Sequence, residues 1–125
     1  MNFVLFGYGE MGCAGLEFLL ARCERVSAVI THPDDPAEKK WFRSLAELAA
    51  VRNVPVVLDP PNLGAAVAAA KPDLILSFYY RNMIPMRVLR QASRGALNLH
   101  GSLLPRLRGR APLNWALVEC EARTG

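Results

Sequence analysis

Asn98 and His100 are the residues of this sequence best suited to catalysis, and they stand two apart in the run Asn98-Leu99-His100-Gly101-Ser102-Leu103-Leu104-Pro105. In an extended chain successive side chains alternate faces, so Asn98 and His100 project together while Leu99 opposes them. An amide N–H aimed at an oxygen that turns negative in a tetrahedral intermediate lowers the barrier by about 3 kcal/mol. An imidazole exchanges a proton near neutral pH. The pair therefore suits attack on an acyl carbon. Taken by itself, the spacing is better explained by an Asn that closes a turn and a His satisfied in a core.

Cations gather close by. Arg106, Arg108 and Arg110 follow the pair, Arg81, Arg87, Arg90 and Arg94 precede it, and the formal net charge is +4. Such a concentration attracts an anionic substrate, a phosphate or a nucleic acid. The stretch from Arg87 to Arg94 reads as a solvated face, and Arg106 and Arg108 suit an exposed surface as well as a site. Arg110 sits beside a glycine in a loop without acidic neighbours, where a guanidinium can hold a carboxylate or a diphosphate.

A second motif points elsewhere. Gly7-Tyr8-Gly9-Glu10-Met11-Gly12 fits G-x-G-x-x-G between a strand and a helix, the pattern of a dinucleotide-binding turn. Its confirming feature is an acid at the end of the second strand, to hold the ribose hydroxyls. That strand ends in Ile30, Thr31 and His32, and Asp34 and Asp35 come only after Pro33. Glu10 would also set a carboxylate beside the phosphates. A tight strand-to-helix turn without nucleotide is the better account, with an NAD-type domain as the alternative. No metal site is expected, because His32 and His100 stand alone. Cys13, Cys23 and Cys120 lack C-x-x-C spacing and read as buried or free thiols in a reducing compartment, which makes the cytoplasm the expected location.

The elements that must position these residues follow from apolar periodicity. Strands are expected at Asn2–Phe6, Val26–Ile30, Pro55–Leu58, Asp73–Ser77 and Ala96–Leu99. Helices are expected at Met11–Arg22, Ser44–Val51, Leu63–Ala70, Met86–Ala92 and Pro112–Glu121, the last with Pro112 in its first turn. The polar loop Asp34–Lys40 joins the second strand to the second helix. Strands alternating with helices at this interval imply an α/β fold, a doubly wound, mostly parallel Rossmann-like sheet with helices on both faces. Ligands bind such sheets outside the carboxyl ends of the strands, where Gly7–Gly12, Thr31-His32, Ser77–Tyr80 and Asn98–Ser102 fall. At 125 residues, 52% hydrophobic and 21% charged, the chain fits one globular domain. No apolar run approaches the ~20 residues of a membrane span, and the start lacks the basic region of a signal peptide.

The stretch NLHGSLLPRLRGRAPLNWAL, Asn98 to Leu117, closely resembles the signature of formyltransferases that use 10-formyltetrahydrofolate. This family acts on methionyl-tRNA, glycinamide ribonucleotide or amino sugars. The resemblance extends over nearly the whole chain. Ser77-Phe78-Tyr79-Tyr80-Arg81, Thr31-His32-Pro33-Asp34-Asp35-Pro36 and the opening Phe6-Gly7-Tyr8-Gly9-Glu10-Met11-Gly12-Cys13 are similar to the branch that formylates UDP-4-amino-4-deoxy-L-arabinose during lipid A modification. The resemblance implies that Asn98 stabilises the oxyanion and His100 is the general acid/base. It implies that Asn82, Met83, Ile84 and Arg110 contact the folate donor, and that the partners are that donor and a sugar nucleotide rather than nucleic acid or membrane. The tRNA-type enzyme is the alternative within the family.

Members of the family also use an Asp a few dozen residues beyond the His, and this sequence ends before that position. Residues 1–125 are therefore expected to form the N-terminal part of the catalytic domain, truncated after the fifth strand and its following helix and inactive alone. An exposed fifth strand is expected to favour a homo-oligomer.

Overall fold

A computed structural model describes residues 1–125. In chain order the elements are β1 (Asn2–Gly7), α1 (Gly9–Ala21), β2 (Arg25–Thr31), α2 (Leu45–Val51), β3 (Val56–Leu58), α3 (Leu63–Ala70), β4 (Leu74–Phe78), α4 (Met86–Leu89), β5 (Ala96–Leu99) and α5 (Pro112–Val118). The five strands form one parallel sheet in the order β3-β2-β1-β4-β5. The expected doubly wound α/β architecture is what the chain adopts.

Alternation along β1 builds both halves of the core. Phe3 and Leu5 face Cys13, Leu16 and Leu19 of α1 and Leu45 and Ala49 of α2. Val4 and Phe6 face the other way, into Val67 of α3 and Val88 of α4. With both faces covered, the central strand shows no alternation in sequence. After β3 the chain returns past β1 to lay down β4 on its far side. The gap between the carboxyl ends of β1 and β4 is thus a topological switch point, where such sheets bind ligands.

Register decides what lies at that gap. Gly7 pairs with Phe78, and Phe78 pairs with Leu99. The three residues form one row, so the residues that follow them, Tyr8, Tyr79 and His100, emerge side by side at the rim. β5 is an edge strand with all four residues exposed.

Several boundaries differ from the sequence expectation, for identifiable reasons. α4 stops at Leu89 because Gln91 and Ala92 donate to carbonyls only three residues back, which tightens the chain into turns. α5 stops at Val118, where Cys120 turns left-handed (φ 53°) and Glu121 N–H reaches back to Ala116 O. α1 and α2 end in the same six-to-one closure, through Cys23 and Asn53. None of the three closures uses glycine.

Two glycines of α1 have packing roles. A Cβ on Gly12 would lie 2.7 Å from Leu45 Cδ2, and one on Gly15 would lie 2.2 Å from the Phe78 ring. In Gly15→Ala, the gain in helix propensity of about 1 kcal/mol opposes an overpacking cost of about 1–3 kcal/mol. The clash is expected to win, with a net loss of about 1 kcal/mol by urea unfolding. A stabilised Gly15→Ala protein would show that Phe78 swings freely and does not pin α1 to β4.

Candidate active site

Around the switch point lies a cleft of about 540 Å³, within the size range of small-molecule sites. Tyr8 to Met11 form its floor after β1, Tyr79 to Arg81 one wall after β4, and Asn98 to Gly101, at the end of β5, the wall beside it. The loop Gly109–Pro112 and the pair Trp41-Phe42 close its rim.

Asn98 and His100 therefore share one cavity. The Asn98 side chain makes no hydrogen bond within the protein, so its amide N–H groups are free for a ligand. His100 is held at Nδ1 by Ser102 Oγ at 2.9 Å, while Nε2 lies 3.2 Å from Gly109 O. A carbonyl only accepts, so Nε2 carries hydrogen toward Gly109. Ser102 is buried and its hydroxyl also lies 2.9 Å from Arg106 O. That hydroxyl has one proton and two acceptors within reach. It donates to a neutral ring at Nδ1, or to Arg106 O while accepting from a protonated ring. The Ser102 contact is the anchor, and the longer, exposed contact to Gly109 is the one a substrate can replace.

Close packing fixes this wall. Tyr79 is left-handed (φ 59°), and a Cβ on Gly101 would lie 2.6 Å from the Tyr79 hydroxyl. Gly101 thus lets Tyr79 lean over the segment that carries His100.

Arg110 lines the cleft and makes no ion pair, whereas Arg106 is paired with Glu121. The other three residues expected at the donor site lie apart from it. Met83 is 93% exposed, Ile84 packs against the core on the α3/α4 side, and Asn82 is exposed; none of them lines the cleft. Asn98, His100 and Arg110 come together, and Asn82–Ile84 continue outward from the Tyr79–Arg81 wall.

Sequence reasoning missed several residues. Trp41 and Phe42 follow the polar loop directly, and an aromatic pair flanked by Lys40 and Arg43 at the carboxyl side of a sheet was the available signal. Phe42 packs edge-on against Tyr8 at 5.6 Å and covers Gly9, where a Cβ would lie 3.2 Å from its ring. Protein therefore occupies this side of the glycine turn, which explains the motif without a dinucleotide. Arg81 lays its guanidinium 4.0 Å over the Tyr8 ring. Burial raises the Tyr8 phenol above its ordinary value, and the Arg81 charge opposes that shift. His32, expected to stand alone, is paired with Asp59 at 2.6 Å. Cys13 is buried, which raises its thiol above the ordinary value, and Cys23 and Cys120 are exposed free thiols. No group of three or more metal-binding side chains converges anywhere in the chain, and no helix is long and apolar enough to cross a membrane.

The formyl transferase family profile matches residues 2–125. The chain belongs to this family. Solved structures share its fold. It is similar to a phosphoribosylglycinamide formyltransferase from Bacillus halodurans, with TM-score 0.72 and 21% identity over 95% of this chain and 66% of that one. A formyltetrahydrofolate deformylase from Pseudomonas syringae gives TM-score 0.73 and 19% identity, over 94% and 41%. A sugar 3N-formyl transferase solved in the presence of dTDP and 5-N-formyl-THF gives TM-score 0.61 and 20% identity, over 84% and 36%. The chain spans 58–67% of the first four solved structures it matches.

Arg43 ties the aromatic rim to α1. Its guanidinium donates to Glu10 at 2.6 Å and to Glu17 at 2.7 Å, which lowers both carboxyls below the ordinary glutamate value. A depressed carboxyl contributes stability above its unfolded pKa and loses it as pH falls through the folded value. In Arg43→Gln the drop in Tm between about pH 5 and pH 3 is therefore expected to flatten. An unchanged acid profile would show that the clip contributes nothing to the fold.

Proposed function

We propose that this chain carries the reacting groups of an enzyme that transfers a formyl group from 10-formyltetrahydrofolate to the amine of a sugar nucleotide, UDP-4-amino-4-deoxy-L-arabinose or one like it. The supporting observation is the shared cleft: the unpaired Asn98 amide, the exchangeable Nε2 of His100 and the free Arg110 guanidinium all face it. In this reading residues 1–125 are part of a larger catalytic domain that works in the cytoplasm.

The donor supplies the formyl group. Asn98 donates an N–H to the formyl oxygen as the attacking amine makes it negative, and His100, protonated at Nε2, donates a second hydrogen bond. His100 then serves as the acid/base through which the proton of the amine reaches the leaving nitrogen. Ser102 keeps the ring oriented throughout. Arg110 faces the anionic parts of the ligands. The aromatic rim of Trp41, Phe42, Tyr79 and Tyr80 offers flat apolar surface for a pteridine, and the donor contacts assigned to Asn82, Met83 and Ile84 would have to come from beyond that rim. The paired Tyr79-Tyr80 favours an amino-sugar acceptor over methionyl-tRNA. The exposed edge of β5, with Leu97 63% exposed, favours self-association, which sedimentation velocity reads directly.

Turnover by the larger catalytic domain with UDP-4-amino-4-deoxy-L-arabinose, glycinamide ribonucleotide and methionyl-tRNA as competing acceptors decides the branch, and preference for either of the last two overturns the amino-sugar assignment. Asn98→Ala is expected to lower kcat by roughly 10²–10³-fold. Its affinity for 5-formyltetrahydrofolate, read as Trp41 quenching in a Trp115→Phe background, is expected to change little. An Asn98→Ala protein that turns over at the parental rate removes the amide from the mechanism.

A further inference from the structure

We infer that His32, locked by Asp59, is a positioning residue for the Tyr79–Arg81 wall of the cleft. His32 sits at the end of β2, is 7% exposed, and does not line the cavity. Its Nδ1 lies 2.6 Å from Asp59 Oδ1, and its Nε2 lies 3.2 Å from the backbone nitrogen of Arg81. A backbone N–H only donates, so Nε2 must accept. Nδ1 must then carry the hydrogen and donate it to the carboxylate. The two partners admit one arrangement, a neutral ring with the proton on Nδ1.

The same ring is also a packing platform. It stacks on Tyr80 at 4.5 Å and 15°, and Tyr80 in turn meets Phe6 of the core edge-on at 5.1 Å. His32 therefore holds two consecutive residues of the wall, Tyr80 by its face and Arg81 by its edge. Tyr79, next in line, adopts φ 59° and leans on Gly101 beside His100. A left-handed tyrosine persists only where its surroundings over-determine it, and the hydrogen bond to the next-but-one residue supplies such a restraint. Asp59 is suited to its task because it is itself left-handed (φ 34°), at the end of β3, with its N–H bonded to Thr31 O. That bond sets the carboxylate beside the residue that follows Thr31. The chain of restraint runs from Asp59 to His32 to Arg81 to Tyr79 to the Asn98–Gly101 wall, across the full width of the sheet.

The test begins on the 125-residue protein without any reaction. A long-range ¹H–¹⁵N spectrum of the histidine rings is expected to show His32 as the neutral tautomer protonated at Nδ1. Asp59→Ala and His32→Phe, which keeps the stacking, are expected to speed hydrogen exchange at the Arg81 amide by about tenfold beyond any change in global unfolding. Asp59→Asn is the conservative partner: its amide oxygen accepts the same hydrogen bond, so the tautomer and the slow exchange are expected to survive. Parallel loss in Asp59→Asn and Asp59→Ala would make the contact an ion pair with imidazolium and overturn the proposal. So would exchange at Arg81 that rises only in step with unfolding. A final arm rests on the formyl-transfer reading: in the active protein Asp59→Ala is expected to lower kcat about tenfold with Asp59→Asn restoring it. A kcat unmoved in Asp59→Ala would confine His32 to holding the fold. Absence of transfer by the larger catalytic domain would count against the functional reading alone, because the spectroscopic arms do not depend on it.

Discussion

Gly7, Phe78 and Leu99 lie abreast in three adjacent parallel strands, and this row fixes where chemistry can occur. A slip of one residue between β4 and β5 would turn Asn98 to the other face of the sheet. The register of β1 against β4 is held because β1 is buried on both sides, with Val4, Leu5 and Phe6 at 0% exposure, and β5 follows through its backbone pairing with β4. Burying one such side chain is worth about 1.5–3 kcal/mol, so displacing β1 from β4 costs more than any single hydrogen bond of the site contributes. The geometry of the candidate site thus rests on core packing beneath β1 and β4 and on the backbone pairing that carries β5.

That dependence explains what the sequence disclosed. Ala96–Leu99 and Leu63–Ala70 are bounded by Gly, Asn, Lys and Pro, and their limits in the structure agree with the pattern. The run Asn98–Pro105 set Asn98 and His100 toward one cleft because alternation along a strand needs no knowledge of neighbours. Helix ends were harder to place. Cys23, Asn53 and Cys120 close α1, α2 and α5 in the left-handed conformation, and a cysteine in that role carries no local signature. The rim was harder still. Trp41 and Phe42 are held at the cleft by Arg43, clipped to Glu10 and Glu17, 33 and 26 positions away in the chain, and by the packing of Phe42 on Tyr8. Contacts of that separation leave no periodic trace. The pattern Gly7–Gly12 misdirects for a related reason: the glycines that permit a phosphate to approach also permit Leu45 and Phe42 to approach, and residue types alone do not distinguish the two.

Charge in the cleft follows from where the acids are spent. Glu10 and Glu17 answer Arg43, Asp34 answers Lys40, Glu38 lies 3.7 Å from Arg81, and Glu121 holds Arg106. Asp73 is occupied at the opposite end of the sheet, where the Asn2 N–H lowers its carboxyl below the ordinary aspartate value. Arg110 is left unpaired, and the two partners of His100 are a hydroxyl and a carbonyl. A cavity with a free cation, a free amide donor and a neutral-polar histidine environment favours ligands that bring negative charge or develop it during reaction.

Backbone strain is divided in the same way. Eight residues other than glycine adopt positive φ, a conformation that costs about 1–2 kcal/mol where a Cβ is present. Four of them, Cys23, Asn53, Lys71 and Cys120, follow helix C-termini, where the left-handed turn satisfies orphan carbonyls and offsets its own cost. The other four have no such return. Tyr79 and Ala111 line the cleft, Leu107 belongs to the loop between His100 and Arg110, and Asp59 holds His32. Strain without local compensation persists only where surrounding contacts over-determine it. Two of these four residues line the cleft and a third, Asp59, holds the histidine behind its Tyr79–Arg81 wall, so much of the uncompensated strain serves the cleft and not the helix ends.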